Sequence, residues 1–437
     1  MRRVPCGPPQ PPDDRARAGS GGPERTASRS AVRRSLWVVI DQGLTSLTNF
    51  AVTAVVARSV DTEAFGAFGL AFVTYLVSLN LSRALVSQPL VLRSSAQPDE
   101  RAELPAAAGA ALAVGVTLAV VVLAAGVAVG GQPGRVLVVL AVFLPGLVLQ
   151  DAWRFAFFAT ARPRLAVVND LTCAVIQVGF MAGVLVLAEG TAATLTAAWG
   201  GAALVAAVVA GRQARAHPTR TGSWAFLRRH GDLGGRLGVE SLLESGTMQI
   251  TTLCLAFVVG SAGVGAIRGA QTLFGPFTTL AIGLVAATIP EGSRLFARRP
   301  TRLRPLLQAM SVSLCVAGAC WGLALGLLPD AWGRAVLGET WPAARGLLPP
   351  LTMMMAGIGF LSGGMVALRV LTAASASLRL RLVTGPISLA AGVTGGAVAG
   401  AQGGAWGLAI GAWITGLGAW WTAGTRLRSI GDGAGSR

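Results

Sequence analysis

Seven charged side chains lie inside apolar runs: Asp41, Arg83, Asp151, Arg154, Asp170, Glu240 and Glu244. At the centre of a transmembrane helix each would cost roughly 2.5–3.5 kcal/mol, so it survives only with a partner or with water. Carboxylates in such places can take up and release a proton or a metal cation. Buried guanidiniums can hold a phosphate or carboxylate through their fork of N–H donors. Asp41, Asp151, Asp170, Glu240 and Glu244 are therefore the candidates for ion coupling or gating. Arg83 and Arg154, with Arg268 near the start of a later run, are the candidates for contact with an anionic substrate. The competing reading for the acids, and the one the cost of burial favours, is interhelical ion pairing that holds the bundle together. Asp151 and Arg154 stand three residues apart and are expected to pair on one helix face.

Other chemistry is sparse. The two histidines, His217 and His230, share one polar loop, and the five cysteines (Cys6, Cys173, Cys254, Cys315 and Cys320) form no CxxC pair, so no zinc site, disulfide framework or cofactor is expected. Asp61-Thr62-Glu63 invites comparison with the acids of membrane glycosyltransferases. The acids immediately precede an apolar helix, however, where a carboxylate caps free N–H groups and meets the positive end of the helix dipole. The longest loop on that side, about 329–344, holds only Asp330, Trp332, Arg334, Glu339 and Trp341 as notable polar or aromatic members, too few for a catalytic face. The sequence does not read as an enzyme.

These charges are positioned by elements that composition already defines. Of 437 residues, 53% are hydrophobic and 13% charged, about half the charge of a typical soluble domain. Mean hydropathy is +0.62. A formal charge of +17 would suit a nucleic-acid binder, but the arginines sit in short breaks between apolar runs of bilayer-spanning length. No nucleic-acid partner is expected; the solvent is the lipid bilayer. Twelve spans are predicted, at 35–57, 64–86, 104–129, 135–158, 165–187, 191–211, 236–259, 266–290, 306–328, 345–368, 379–400 and 402–424. Residues 1–34 and 425–437 read as tails, the first disordered and too polar to bury a core. The first span is too long for a signal-peptide core and has no cleavage site before the next.

Arg58, Arg135, Arg268, Arg334 and Arg345 belong to the breaks on one side or to the span starts beside them, Arg83 lies within the second span, and the rest gather toward the other side. The positive-inside bias makes the crowded side cytoplasmic and places both ends there, in a bacterial cytoplasmic membrane. The basic connection 212–235 divides 35–211 from 236–424, six spans from six. Asp41-Gln42-Gly43 aligns with Glu244-Ser245-Gly246, and at the same offset Gly66-Ala67 meets Gly269-Ala270 and Leu70 meets Leu273. Matching spans run in the same direction, as in a parallel repeat about an axis along the membrane normal. The expected fold is an all-α polytopic membrane protein of about twelve transmembrane helices, in two pseudo-symmetric six-helix lobes around a central cavity. Gly318, Gly322 and Gly326, like Gly403, Gly407 and Gly411, mark faces for close helix packing. Gly43 and Pro276 are the candidate hinges, since each weakens a span from within.

The run Asp41-Gln42-Gly43-Leu44-Thr45-Ser46-Leu47-Thr48-Asn49-Phe50, with Ala57-Arg58 and Glu63-Ala64-Phe65-Gly66-Ala67-Phe68, resembles the opening of polysaccharide (O-antigen type) flippases. These belong to the multidrug/oligosaccharidyl-lipid/polysaccharide exporter superfamily. Gln150-Asp151-Ala152-Trp153-Arg154-Phe155, Arg162-Pro163-Arg164 and Asn169-Asp170 are similar to the hairpin of the fourth and fifth helices in bacterial members. The likeness covers roughly residues 35–180. It implies a V-shaped, two-lobed bundle that flips a polyprenyl-linked glycan outward by alternating access, with basic cavity residues on the substrate and polymerases or glycosyltransferases as partners. Within the superfamily the alternative is a cation-coupled multidrug antiporter with Asp41 as the coupling acid. Outside it, the alternative is a non-transporting scaffold of a glycan assembly complex.

Overall fold

The computed structural model describes residues 22–94, 103–160, 162–231, 247–371 and 373–434, and all the regular structure in them is helical. The first half comprises α1 (Gly22–Ser59), α2 (Thr62–Ser82), α3 (Gln88–Ser94), α4 (Leu104–Val129), α5 (Gly131–Ala159), α6 (Pro163–Leu187) and α7 (Ala192–Ala214), then a short α8 over 223–231. The second half comprises α9 (Thr247–Leu273), α10 (Gly275–Arg298), α11 (Leu303–Gly326), α12 (Asp330–Leu337), α13 (Trp341–Gly346), α14 (Leu348–Val370) and α15 (Ala374–Ala434).

Among the described residues nine helices are long and apolar enough to cross a bilayer. The last of these, α15, is two antiparallel spans, because Gly400 at φ +59° turns the chain back. A Cβ on Gly395 would lie 2.3 Å from the Gly403 carbonyl oxygen, and one on Gly407 would lie 2.1 Å from that of Ala391, so only glycine lets the two arms of this hairpin pack so tightly. Gly260, at φ +74°, breaks α9 in the same way. Adding α1, and counting α9 beyond Gly260 together with α10 as one segment, gives twelve membrane segments, in line with the hydropathy reading. The first helix starts at Gly22, ahead of the span expected from residue 35.

The packing repeats between halves. α4 pairs with α5 as α11 does with α14, α5 packs on α7 as α14 does on the second arm of α15, and α2 lies on α5 as α10 does on α14. This is a two-lobed, multi-pass membrane protein. The lobes meet where α2 crosses α9 on the arginine-poor side. A Cβ on Gly66 would fall 1.6 Å from the Ser261 carbonyl oxygen, and one on Gly265 would fall 2.7 Å from the Thr62 carbonyl oxygen. The offset that aligns Asp41 with Glu244 also aligns Thr62 with Gly265. Equivalent residues touch each other only on a twofold axis, so this crossing marks the axis. Gly338, against Ala57 and Arg58, extends the seal at the same end.

The polar connection is also anchored. The Thr219 N–H donates to the Pro105 carbonyl at 3.1 Å, and Arg229 pairs with Glu103 at 2.9 Å, so α8 rests on the start of α4. On the opposite side, the Asp330 carboxylate accepts from the Trp341 indole at 2.7 Å and pairs with Arg345. The indole hydrogen bond and the two neighbouring arginines hold this carboxyl below its ordinary range. The clasp therefore contributes its full stability above the ordinary carboxylate range and loses it as pH falls through the lowered value. In 5-fluorotryptophan-labelled protein the Trp341 resonance should shift on acidification, and the shift should vanish in Asp330→Asn. An identical titration in that variant would disprove the clasp.

Candidate functional site

The first lobe holds a five-membered ionic cluster, four members of it buried and Arg83 half-buried. Asp41 comes from α1, Asp151 and Arg154 from α5, Asp170 from α6, and Arg83 from the turn after α2. Arg83 forms a bidentate pair with Asp151, its Nε at 2.8 Å and a terminal nitrogen at 2.7 Å. Arg154 donates from Nε to Asp41 at 2.6 Å and lies 3.4 Å from Asp170. The pairing expected within α5, Asp151 to Arg154, is the longest contact, at 4.0 Å. Arg83 occupies both oxygens of Asp151, so Arg154 keeps this contact at its longest and makes its shorter ones with the acids of α1 and α6.

The chain places Arg83 by a local distortion. Residues Arg83–Ser87 form a π turn, in which the Gln88 N–H donates to the Arg83 carbonyl. Pro89 follows, with no N–H for the Leu85 carbonyl and a ring that would clash with it in a regular helix. Widening the turn relieves both problems. Neutral groups complete the cluster. Thr45 donates to Asp170 at 3.1 Å and Gln150 donates to it at 2.8 Å, while Asn169 donates to the Ala206 carbonyl at 2.9 Å. The rings of Phe155 and Phe158 lie 5.3 Å and 5.9 Å from the Arg83 and Arg154 guanidinium carbons. Sequence reasoning had not assigned roles to Thr45, Gln150 or Asn169. The doublets Gln150-Asp151 and Asn169-Asp170, polar pairs inside apolar spans, were the available signal for two of them.

Fully ionised, the cluster sets three carboxylates against two guanidiniums. Asp41, wholly buried, keeps one oxygen without a hydrogen-bond partner. Such a site can accept one further positive charge at little electrostatic cost. Arg83 and Arg154, candidates for substrate contact, are here committed to carboxylates. Glu240 and Glu244 lie outside the described residues.

Arg268 is placed differently. It leaves α9 beyond Gly260 and crosses to the first lobe, its guanidinium carbon 4.5 Å from the centre of the Phe72 ring. That ring belongs to an aromatic wall, stacking on Trp199 at 5.5 Å and meeting Tyr75 edge-on. Gly69 makes room for the arginine stem: a Cβ there would sit 3.0 Å from Arg268 Cγ. Among the described residues no carboxylate pairs with Arg268, and its Nε has no hydrogen-bond partner. One turn on, the Gln271 amide nitrogen is also unpartnered. Two unmet donor groups on one helical face, between the lobes, suit a ligand with anionic or carbonyl oxygens.

The hinge candidates separate as well. α1 runs through Gly43 without interruption. Pro276 lies in the first turn of α10, where a missing N–H costs nothing, and the break falls just before it, at Phe274. The second lobe has no ionic cluster among its described residues. Its interior includes neutral polar contacts, Ser311 and Trp420 donating to the Phe360 carbonyl at 2.8 Å and 3.0 Å. Beside them α10 and α14 enclose a mainly apolar cavity of about 540 Å³.

No family model matches the sequence, and no curated protein matches it. Solved structures do. An inward-facing multidrug resistance transporter of the MATE family, MOP superfamily, superimposes with a TM-score of 0.70 at 14% identity, over 90% of this chain and 96% of that one. The lipid II flippase MurJ in an inward closed conformation gives 0.65 at 12% identity, over 89% and 87%. A MOP-superfamily transporter from Pyrococcus furiosus gives 0.61 at 14% identity, over 92% and 96%. Together with the lobes and their axis, these likenesses identify the fold as that of the MOP-superfamily transporters.

Proposed function

We propose that this chain is an alternating-access transporter that moves a polyprenyl-linked glycan from the cytoplasmic to the outer leaflet of a bacterial cytoplasmic membrane. The arginine-rich side and both termini are cytoplasmic on this reading, residues 35–211 and 236–424 are the moving lobes, and 212–235 links them. Polymerases or glycosyltransferases are its expected partners. The observation that carries the reading is Arg268. A half-buried guanidinium between the lobes, paired with no carboxylate among the described residues, is costly unless an anion visits it, and the linking phosphates of such a substrate supply one. Lobes sealed on the arginine-poor side give that anion access from the cytoplasm.

The cation-coupled antiporter remains a second reading, supported by the excess carboxylate around Asp41. The two readings separate in one experiment. A strain lacking the gene should accumulate lipid-linked glycan in the inner leaflet, and Arg268→Ala should fail to complement by at least tenfold while still inserting and folding. Full complementation by Arg268→Ala would end the proposal. Dye efflux that collapses with the ion gradient, and with Asp41→Asn, would install the antiporter. Neither phenotype would leave the scaffold.

A further inference from the structure

A cavity of about 520 Å³ lies in the first lobe, away from the ionic cluster and from Arg268, where three helices end on the arginine-rich side. It is walled by Leu104 and Pro105 at the start of α4, by Arg162 just before α6, and by the end of α7 from Gln213 to Ala216. Backbone hydrogen bonds fix each wall. The Thr219 N–H holds the Pro105 carbonyl at 3.1 Å, the Arg162 N–H donates to the Phe157 carbonyl at 2.8 Å, and the Ala216 N–H closes α7 on the Gly211 carbonyl at 3.1 Å. Glu103, next to the α4 wall, is already paired with Arg229 at 2.9 Å.

The polar groups of this cavity select a ligand class. Arg162 and Arg215 reach it from separate helices, and among the described residues neither pairs with a carboxylate. Arg215 stands at φ +54°, the one non-glycine residue at positive φ among those described. It ends α7 at a position that glycine usually fills, so the helix end itself has no use for the side chain. The Gln213 carbonyl oxygen is buried and accepts no hydrogen bond, which calls for a donor. Two cationic donors and one unmet acceptor suit an anion that carries a hydroxyl of its own. A choline headgroup has no donor for Gln213, and the ammonium of an ethanolamine headgroup would face two guanidiniums. A phosphoglycerol headgroup supplies both the negative charge and the hydroxyl.

The position favours a lipid over a soluble phosphate. Of the nine long apolar helices among the described residues, α4 and α6 bury the smallest shares of their spans against protein, so two of the three walls belong to helices that face the bilayer. Val168 on α6 and Val208 on α7 are exposed apolar residues, six and five positions from Arg162 and Gln213, or about 8–9 Å of helix rise toward the membrane interior. We propose that this cavity binds the phosphoglycerol headgroup of an anionic membrane lipid. Arg162 and Arg215 hold the phosphate, a glycerol hydroxyl donates to Gln213, and the acyl chains run along α6 and α7. The lipid is a bound neighbour of the first lobe rather than cargo, so the inference does not depend on what moves between the lobes.

The experiment uses the full chain, stripped of lipid in a neutral detergent and followed by native mass spectrometry. It is titrated with dioleoyl phosphatidylglycerol, phosphatidylmethanol, phosphatidylethanolamine and phosphatidylcholine, and with glycerol 3-phosphate as the soluble form of the headgroup. The first equivalent of phosphatidylglycerol should bind at least tenfold more tightly than the ethanolamine and choline lipids. It should also exceed phosphatidylmethanol, which has the same charge and no hydroxyl, by about threefold. Arg162→Gln with Arg215→Gly should weaken that first equivalent at least tenfold. Arg215→Gly suits the backbone at this position, so the variant should unfold at no lower a temperature than Arg162→Gln alone. Gln213→Leu should erase the preference over phosphatidylmethanol and leave phosphatidylmethanol binding as it was. Ethanolamine or choline lipids binding equally would mean that no anion is selected, and phosphatidylmethanol binding equally to the wild type would remove the hydroxyl contact. Glycerol 3-phosphate competing at the lipid's own concentration would make this a site for soluble phosphates. Binding unchanged in both sets of variants would place the lipid elsewhere. Each of these overturns the proposal. Arg268→Ala should bind phosphatidylglycerol like the wild type, so the transport reading and this one can fail separately.

Discussion

Arg154→Gln is expected to yield little or no folded protein. Arg154 lies between Asp41 and Asp170, and its loss leaves three buried carboxylates facing Arg83 alone. Removing one partner of a buried pair costs about 3–5 kcal/mol, because the abandoned charge has no water to turn to. Here two carboxylates are abandoned together. The cost follows from charge count rather than side-chain volume, so it should be repaired by removing charge: Arg154→Gln combined with Asp41→Asn should recover monodisperse protein. Arg154→Lys should fall between, keeping the charge but losing the planar fork that reaches two acids. Asp41→Asn alone should fold well, since it removes the excess carboxylate. The measurement is the yield and thermal midpoint of each variant after extraction into one detergent. A stable single Arg154→Gln variant, or no repair in the double variant, would show that the cluster does not hold the charges assigned to it.

Gly66→Ala should open the seal between the lobes. The added carbon would sit 1.6 Å from the Ser261 carbonyl oxygen, and the obstacle is backbone, which cannot rotate away. Overpacking a close-fitting contact costs typically 1–3 kcal/mol, and separating the two helices is the available relief. Gly69→Ala, only a turn away, meets flexible side chains of Arg268 and Val264 at 3.0 Å and 3.6 Å and should be mild. Spin labels at Glu189 and Ala335, in a background without native cysteines, report the distance between the lobes on the arginine-poor side. The distribution should move to longer distances in Gly66→Ala and stay near the wild type in Gly69→Ala. Equal distributions in all three proteins would mean that the crossing at Gly66 does not set the separation.

The Gly66 result also separates two kinds of information in the chain. Gly66 aligns with Gly269 in the sequence, yet its close contact is with Ser261, a residue whose importance no local pattern announces. The same holds for the cluster. Asp41, Arg83, Asp151, Arg154 and Asp170 were conspicuous because lipid cannot solvate a charge, and that penalty is visible one residue at a time. Their partners were not visible. The nearest pairing in sequence, Asp151 with Arg154, is present at 4.0 Å, but the shorter contacts reach across 68 and 113 residues.

By itself, then, the sequence determined that the chain is helical, where it crosses the membrane, which side collects arginine, and which buried charges demand an explanation. A bilayer makes these properties local, because every span must satisfy its own backbone hydrogen bonds and its own hydropathy. Only the tertiary structure decided that Arg154 belongs to Asp41, that Arg268 lies over the Phe72 ring with no acid beside it among the described residues, and that α10 and α14 line a cavity. Those outcomes depend on how helices rotate and cross. In lipid, that choice rests on van der Waals fit between small and large side chains, to which hydropathy is blind.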